Sequence, residues 1–517
     1  MSLAGLLPAV AEDPLLTQVL RDQPDGPAGT HDLVAPPALR PFIVGALASG
    51  AGLEGRPGRF VLAVTATARE ADDLTAALRS FLPPDAVAGF PGWETLPHER
   101  LSPRSDTVGQ RIAVLRRLAH PEGNPLKAVV APIRSVLQPI VAGLGDLEPV
   151  RLAEGDEADP DGVIARLVDV GYARAEMVTK RGELAVRGGL LDVFPPTEEH
   201  PVRIEFFGDT VEEIRTFKVA DQRSIGKADH GLWAPPCREL LLTGSVRARA
   251  KELADSHPSV SEILGKISDG IAVEGMEAFA SVLAERMELL VDYVPVGGIV
   301  LACDPERIRT RAMELVTTSQ EFLDAAWAGA ASGGAAPFDL GGSAFKPVEE
   351  VRDASRELGL GWWTLAPFGI SPEDGPAAAP RTVPGTSFPL TEADEEAADW
   401  GSRDDPFGTI KAQPATAYRG ETSRMLADVR GWLRDGWRVV LVTEGHGPAQ
   451  RLAEVLGGEG FGARLGDITG PPEPGVPYVA TGELTQGFTW PSLKLALLTE
   501  ADLAARGAAR PGARDER

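Results

Sequence analysis

Between Lys180 and Phe217 the chain reads KRGELAVRGGLLDVFPPTEEHPVRIEFFGDTVEEIRTF, and no other stretch narrows its folding options as much. Leu190 to Phe194 is an apolar segment closed by Pro195 and Pro196. A polar turn leads into Val202 to Phe207, and Gly208-Asp209 then turns the chain into Thr210 to Phe217. Runs of β-branched, aromatic and aliphatic residues between Gly, Pro and Asp punctuation read as short strands. Side chains alternate faces along a strand, so Val202, Ile204 and Phe206 share one face and Arg203, Glu205 and Phe207 the other. With the first set in a core, an Arg and a Phe stand four residues apart on the exposed side. Arg and aromatic residues dominate protein–protein hot spots. The plainer reading is a Phe207 that covers a neighbouring loop and an Arg203 that is simply solvated.

The runs GELAVRGGLLDVFP and VRIEFFGD resemble the signature shared by the excision-repair protein UvrB and the transcription-repair coupling factors. The resemblance implies a small domain that docks on UvrA. It places the interface on Arg187 in AVRGG, Arg203 in VRIEFF and Phe207, the second Phe of its pair. Arg174 and Arg181 extend the positive rim on less specific support. Upstream, DPDGVIARLVDVGY predicts a helix capped by Asp159 or Asp161, with Val163, Ile164, Leu167 and Val168 on one face and Gly171 at its end. One helix on a small antiparallel sheet makes a compact α+β module.

On either side the pattern changes. Arg40 to Leu47 is apolar, RFVLAVTA suits a buried strand, and ATAREADDLTAALRSFL has helical spacing through Ala71, Leu74, Leu78 and Leu82. AVAGFP, QRIAVLRRLA and KAVVAPIRSVLQPIV continue the alternation, which predicts a parallel sheet covered by helices. In such a fold a nucleotide phosphate sits in the loop after the first strand, and the candidate is GALASGAG, Gly45 to Gly52. A phosphate loop needs glycines followed by Lys-Ser/Thr. No lysine precedes Lys127, so the glycines read as a turn without a ligand. GWETLPHERLSPRSDTVGQR carries Trp93 as its one aromatic, with Arg100 and Arg104 among Glu94, Glu99 and Asp106. A single-strand stacking platform takes several aromatics beside basic residues, so this stretch reads as a solvated loop.

The fold class expected is α/β: a degenerate RecA-like parallel-sheet domain split by the α+β insertion, then a linker and a second small α/β domain. The divisions fall at 1–143, 144–232, 233–375, a Pro-, Gly- and acid-rich linker at 376–408, 409–505, and a disordered Arg-rich tail at 506–517. That 233–375 returns to the first sheet is implied by the resemblance, not by any pattern. Within 409–505, ETSRMLADVRGWLRDG is an amphipathic helix and WRVVLVTEG a buried strand. GHGPAQ after it is a helix start without phosphate-loop spacing.

At 517 residues with net charge −24, the chain repels phosphate backbones outside local basic patches, so nucleic acid is a poor direct partner. Its two cysteines, Cys237 and Cys303, stand apart from any CxxC or His cluster, which argues against zinc and disulfides and for a reducing cytoplasm. The N-terminus lacks the basic start of a signal peptide, and no membrane span is expected. No GxxxxGK[ST] or DEEQ-type motif occurs. The resemblance therefore implies a monomeric N-terminal portion of a coupling factor that docks UvrA and carries no catalysis or cofactor. Contacts with RNA polymerase and double-stranded DNA, and the ATP and magnesium of the family's translocase motor, would belong to a C-terminal region absent here. The rival is a UvrB-like ATPase handling damaged DNA. A blander third reading is a regulatory domain that restrains the motor.

Overall fold

The computed structural model describes residues 3–21, 29–52, 57–96, 99, 101–331, 345–367 and 408–504, with side chains described at all but 21 and 326–331. The expected linker at 376–408 lies outside these residues except for Gly408, and the tail lies outside them entirely.

The first sheet has six strands in the order His31–Val34, Gly361–Ala366, Ile299–Cys303, Val61–Thr65, Ala128–Pro132, Val87–Gly89, and every pairing is parallel. Two strands from 299–366 lie beside strands from 31–132, so this domain is split by what lies between. Both faces are covered, which is why its strands read as unbroken apolar runs. Val61, Ala63, Ile299, Leu301 and Trp363 point into one core with helices Arg40–Ser49 and Ala68–Arg79. Leu62, Val64, Val300 and Trp362 point into another, with helix Ser105–Ala119, the short helix Ile133–Leu137 and helix Val348–Glu357.

Arg40 to Leu47 is a correction. It is the helix Arg40–Ser49 rather than the first strand, entered through Pro41 and ended by Gly50 at φ 70°. Pro at the first turn and a left-handed Gly at the C-terminus are the usual helix brackets, and the unbroken apolar run Pro41 to Ala48 hides its period. GALASGAG is thus the carbonyl end of a helix, which accepts hydrogen bonds and disfavours anions.

The insertion forms a second six-stranded sheet in the order Ser224–Lys227, Thr210–Phe217, Val202–Phe207, Leu190–Val193, Glu183–Arg187, Ala173–Arg174. It is antiparallel except for the last pair. Helix Pro160–Asp169 lies on one face, capped by Asp159, whose carboxylate accepts from the amides of Asp161 and Gly162. Val163, Ile164 and Leu167 meet Leu184, Leu191, Val193, Ile204 and Ile214 there. Val168, expected on that stripe, is exposed, because it falls one position around the helix from Leu167.

Helices Gly244–Ser256 and Ser261–Ser268 enclose a small core of their own with Met276, Phe279 and Leu283. The following EGMEAFASVLAERMELLVDYV forms one-turn helices and the strand Met287–Glu288. The third six-stranded sheet, built from 413–499, is parallel at its centre and antiparallel at strands Phe488–Trp490 and Gln413–Pro414. The mixed α/β, multi-sheet class read from the sequence is the one observed.

Candidate functional site

Two hairpins of the insertion turn at the same end of its sheet. In one, Arg187 pairs with Leu190 across Gly188-Gly189; Gly188 has φ +60°, which a side chain would strain. In the other, Phe207 pairs with Thr210 across Gly208-Asp209. The strand Val202–Phe207 alternates as the sequence predicts. Val202 and Ile204 are buried and Phe206 packs on the helix-side core, while Phe207 points the opposite way with 79% of its surface in water. A bulge in the facing strand between the Glu205 and Phe206 registers leaves that alternation intact. Val186 is also exposed at this end.

The open face carries Arg187, Leu190 and Glu205 in one cross-strand row, and Ala185, Asp192, Arg203 and Arg215 in the next. From strand spacing and rise, Arg187, Arg203 and Phe207 form a triangle with sides of roughly 12–13 Å between Cα atoms. All three lie on one face. Arg187 and Phe207 are exposed, whereas Arg203 is already engaged. Its Nε donates to Asp192 Oδ1 and one terminal nitrogen to Oδ2, both at 2.7 Å. The other terminal nitrogen donates to the Gln222 carbonyl at 3.3 Å. The guanidinium lies 4.6 Å from the centre of the Phe217 ring, and the Asp192 carboxylate pushes its pKa still higher. Three of five N–H groups are used, which leaves two for a partner.

Arg174 and Arg181 do not join this triangle. Arg174 is exposed on the edge strand Ala173–Arg174. Arg181 precedes the strand whose far end is Arg187, about 20 Å away by strand rise. Its Nε donates to the Glu198 carbonyl, and it stacks 5.2 Å from the Phe194 ring.

The phosphate position of the split domain is the helix start after the central strand Val61–Thr65, and it is occupied from within. Thr67 caps helix Ala68–Arg79: its Oγ1 accepts from the Glu70 amide, while the Glu70 carboxylate accepts from the Thr67 amide. Glu70 also pairs with Arg307 at 2.5 Å and with Arg40 at 3.8 Å. A carboxylate bound by a helix start and two guanidiniums stands where an anionic ligand would.

Trp93 and Arg111 correct the reading of 92–111 as a solvated loop. Trp93 is buried, and its Nε1 donates to Glu239 Oε1 at 2.9 Å. Arg111 is fully buried; its Nε meets the same oxygen at 2.5 Å, and its guanidinium lies 4.5 Å from the Phe90 ring. The stretch is a weld between the first domain and the chain just after the insertion. Glu239, the partner 128 residues from Arg111, left no local signal. Among the described residues no His/Cys/Asp/Glu group could hold a metal ion, and no helix is long and apolar enough to cross a membrane. Burial pushes the Cys237 thiol up to about 12 and the Cys303 thiol to about 11, so both stay protonated.

Residues 150–235 match the UvrB interaction domain, the segment whose hairpins carry Arg187, Arg203 and Phe207. The whole chain is similar to transcription-repair-coupling factors. Identity to that of Mycobacterium bovis is 43% over 97% of this chain and 39% of the relative. To that of Bacillus subtilis it is 25% over 86% of this chain and 36% of the relative. To that of Escherichia coli it is 29% over 42% of this chain and 19% of the relative. The chain therefore spans well under half the length of these relatives.

Proposed function

We propose, on the premise that this chain is homologous to transcription-repair-coupling factors along nearly all of its length, that it is the UvrA-recruiting part of such a factor. It acts in transcription-coupled nucleotide excision repair as a docking module rather than as an enzyme. The observation that carries the reading is Phe207: a phenyl ring held almost wholly in water at a hairpin tip, within a UvrB interaction domain. A large exposed aromatic flanked by Arg187 and a pre-aligned Arg203 is the composition of an interface hot spot. The ring would fill an apolar pocket on UvrA, and the guanidiniums would meet carboxylates there through forked hydrogen bonds. Translocation, polymerase contact and their ATP and magnesium are assigned to the remainder of such factors.

The test is a titration of purified UvrA against the chain and its Phe207→Ala and Arg187→Ala variants. Both side chains are exposed, so far-UV CD and melting should be unchanged. Affinity should fall about tenfold to thirtyfold for Phe207→Ala and somewhat less for Arg187→Ala. Wild-type affinity in both variants would refute the assignment. The ATPase reading is disfavoured by Arg69-Glu70 standing in the capped helix start where a Lys-Ser/Thr pair would be needed.

A further inference from the structure

A cavity of about 600 Å³ opens at the carboxyl ends of strands Val61–Thr65 and Ala128–Pro132, beneath helix Pro305–Ala331. Three guanidiniums line it: Arg134, Arg307 and Arg311. Arg307 is committed to Glu70, and Arg311 shares its charge with Glu314 at 2.8 Å. Arg134 is different. Among the described residues no carboxylate lies within ion-pair distance of it; one terminal nitrogen donates to the carbonyls of Glu94 and Thr95 at 3.3 and 2.6 Å. Its Nε is buried without any hydrogen-bond partner. Beside it Ser135 Oγ, in a wholly buried residue, is also unpartnered. Gly92 leaves this space open, since a Cβ there would stand 3.2 Å from that oxygen and 3.3 Å from the Arg134 stem.

The two acids on the wall are spoken for. Glu94 accepts from the Thr107 hydroxyl and the Arg104 amide, and Glu314 pairs with Arg311. Burial and the neighbouring Arg311 charge both pull the Arg134 pKa below its ordinary value, against the weaker pull of Glu99 and Glu94. Arg134 and Arg311 thus line one cavity, and Arg134, with a buried donor unmet beside the unmet Ser135 hydroxyl, is the one without a carboxylate partner among the described residues. Ala68 at a helix start adds backbone N–H polarity to the same wall.

We propose that this cavity is an anion site for a phosphate group, held by Arg134 and Arg311, on the side of the capped helix start that Glu70 does not fill. The site binds without turnover, because no lysine lies on its wall and nothing there positions a nucleophile. It takes a small ligand, inorganic phosphate or pyrophosphate or the phosphates of a mononucleotide. A chain of net charge −24 gives a longer polyanion no favourable approach.

The test is calorimetric titration of the full chain with inorganic pyrophosphate and, separately, with ADP at fixed ionic strength. Saturable one-site binding of pyrophosphate is expected, weakened about tenfold or more by Arg134→Gln and by Arg311→Gln. The Arg311 side chain is half in water, so that variant folds even if Arg134→Gln does not. Arg434→Gln, on the exposed surface of the last sheet's helix, should bind like the wild type. Tighter binding of ADP than of pyrophosphate identifies a nucleotide as the source of the phosphate; equal or weaker binding identifies free phosphate. No saturation at millimolar pyrophosphate, or equal affinity in Arg311→Gln, overturns the site and leaves water as the partner of the orphaned donors. UvrA binding, which uses the far end of the insertion, should be unaffected in every variant.

Discussion

Arg203 braces its own sheet face and, in the proposed docking, would also meet UvrA, two roles that a simple alanine scan would confuse. Its Asp192 partner is almost fully buried, so removing the guanidinium strands a carboxylate in the sheet face. Breaking a fully buried pair costs about 3–5 kcal/mol; with a fifth of the Arg203 side chain still in water, about 2–3 kcal/mol is expected for Arg203→Ala. Urea unfolding should show this loss, and adding Asp192→Ala should return most of it while leaving UvrA affinity low. If the double variant stays as unstable as the single, the pair is not the source of the cost. The face of Phe207 was legible at this scale because alternation needs only six consecutive residues. The Arg203–Asp192 pair was not: it depends on the register between two strands, and nothing local to VRIEFF marks which acid lies opposite. Arg111 and Glu239 repeat the lesson over a longer interval, where a buried charge looks in the sequence like any solvated helix arginine.

Among the elements, helix Ser105–Ala119 is the seat of the insertion. Gly109 faces Pro196 so closely that an added Cβ would lie 2.5 Å from two atoms of the proline ring. Gly182, at φ +85°, brings the start of the Arg187 strand against Ser105 in the same way. In a free helix Gly→Ala gains about 1 kcal/mol from backbone entropy. Here the clash is with a rigid ring rather than a flexible side-chain end, so the sign should reverse. Gly109→Ala is expected to destabilise the insertion's docking by about 1–3 kcal/mol. This should appear as faster amide exchange in 180–196, with UvrA affinity little changed because the hairpin tips lie at the other end of the sheet. A variant more stable than wild type would show that the helix and Pro196 do not touch in solution. The helix was readable from its period over Gln110 to Ala119 alone; Ser105 to Gly109, its opening, fell in the stretch read as a loop. The packing role of its glycine was not readable, since only the partner surface distinguishes a packing glycine from a tolerated one.

At the scale of the whole molecule, the final α/β unit is not a bead on a tether. One face of its sheet carries its own helices over Val439, Leu441 and Val479. The other presents Val440, Val442, Phe488, Trp490, Leu495 and Leu497 to a core shared with the N-terminal helices Leu6–Val10 and Pro14–Arg21 and with helix Arg40–Ser49. Phe42 is the joint, edge-on to Phe488 at 5.1 Å and to Phe81 at 4.7 Å between ring centres. Gly5 reinforces it, since a Cβ there would overlap the Gly470 backbone. The apolar run WRVVLVTEG marked its strand as buried, but burial alone does not say against what, so the sequence suggested two separate units. The insertion, by contrast, closes a core of its own. Truncating Phe42 to Ala should therefore cost about 3–5 kcal/mol and act on two sheets at once. In native-state hydrogen exchange, strands Val61–Thr65 and Arg438–Thr443 should lose protection together while Val202–Phe207 keeps its own. Protection unchanged in Arg438–Thr443 would mean that the shared core does not couple the two sheets. Joint loss would mean that the insertion is presented by one rigid body, with its hairpin tips held at a fixed angle for the partner to meet.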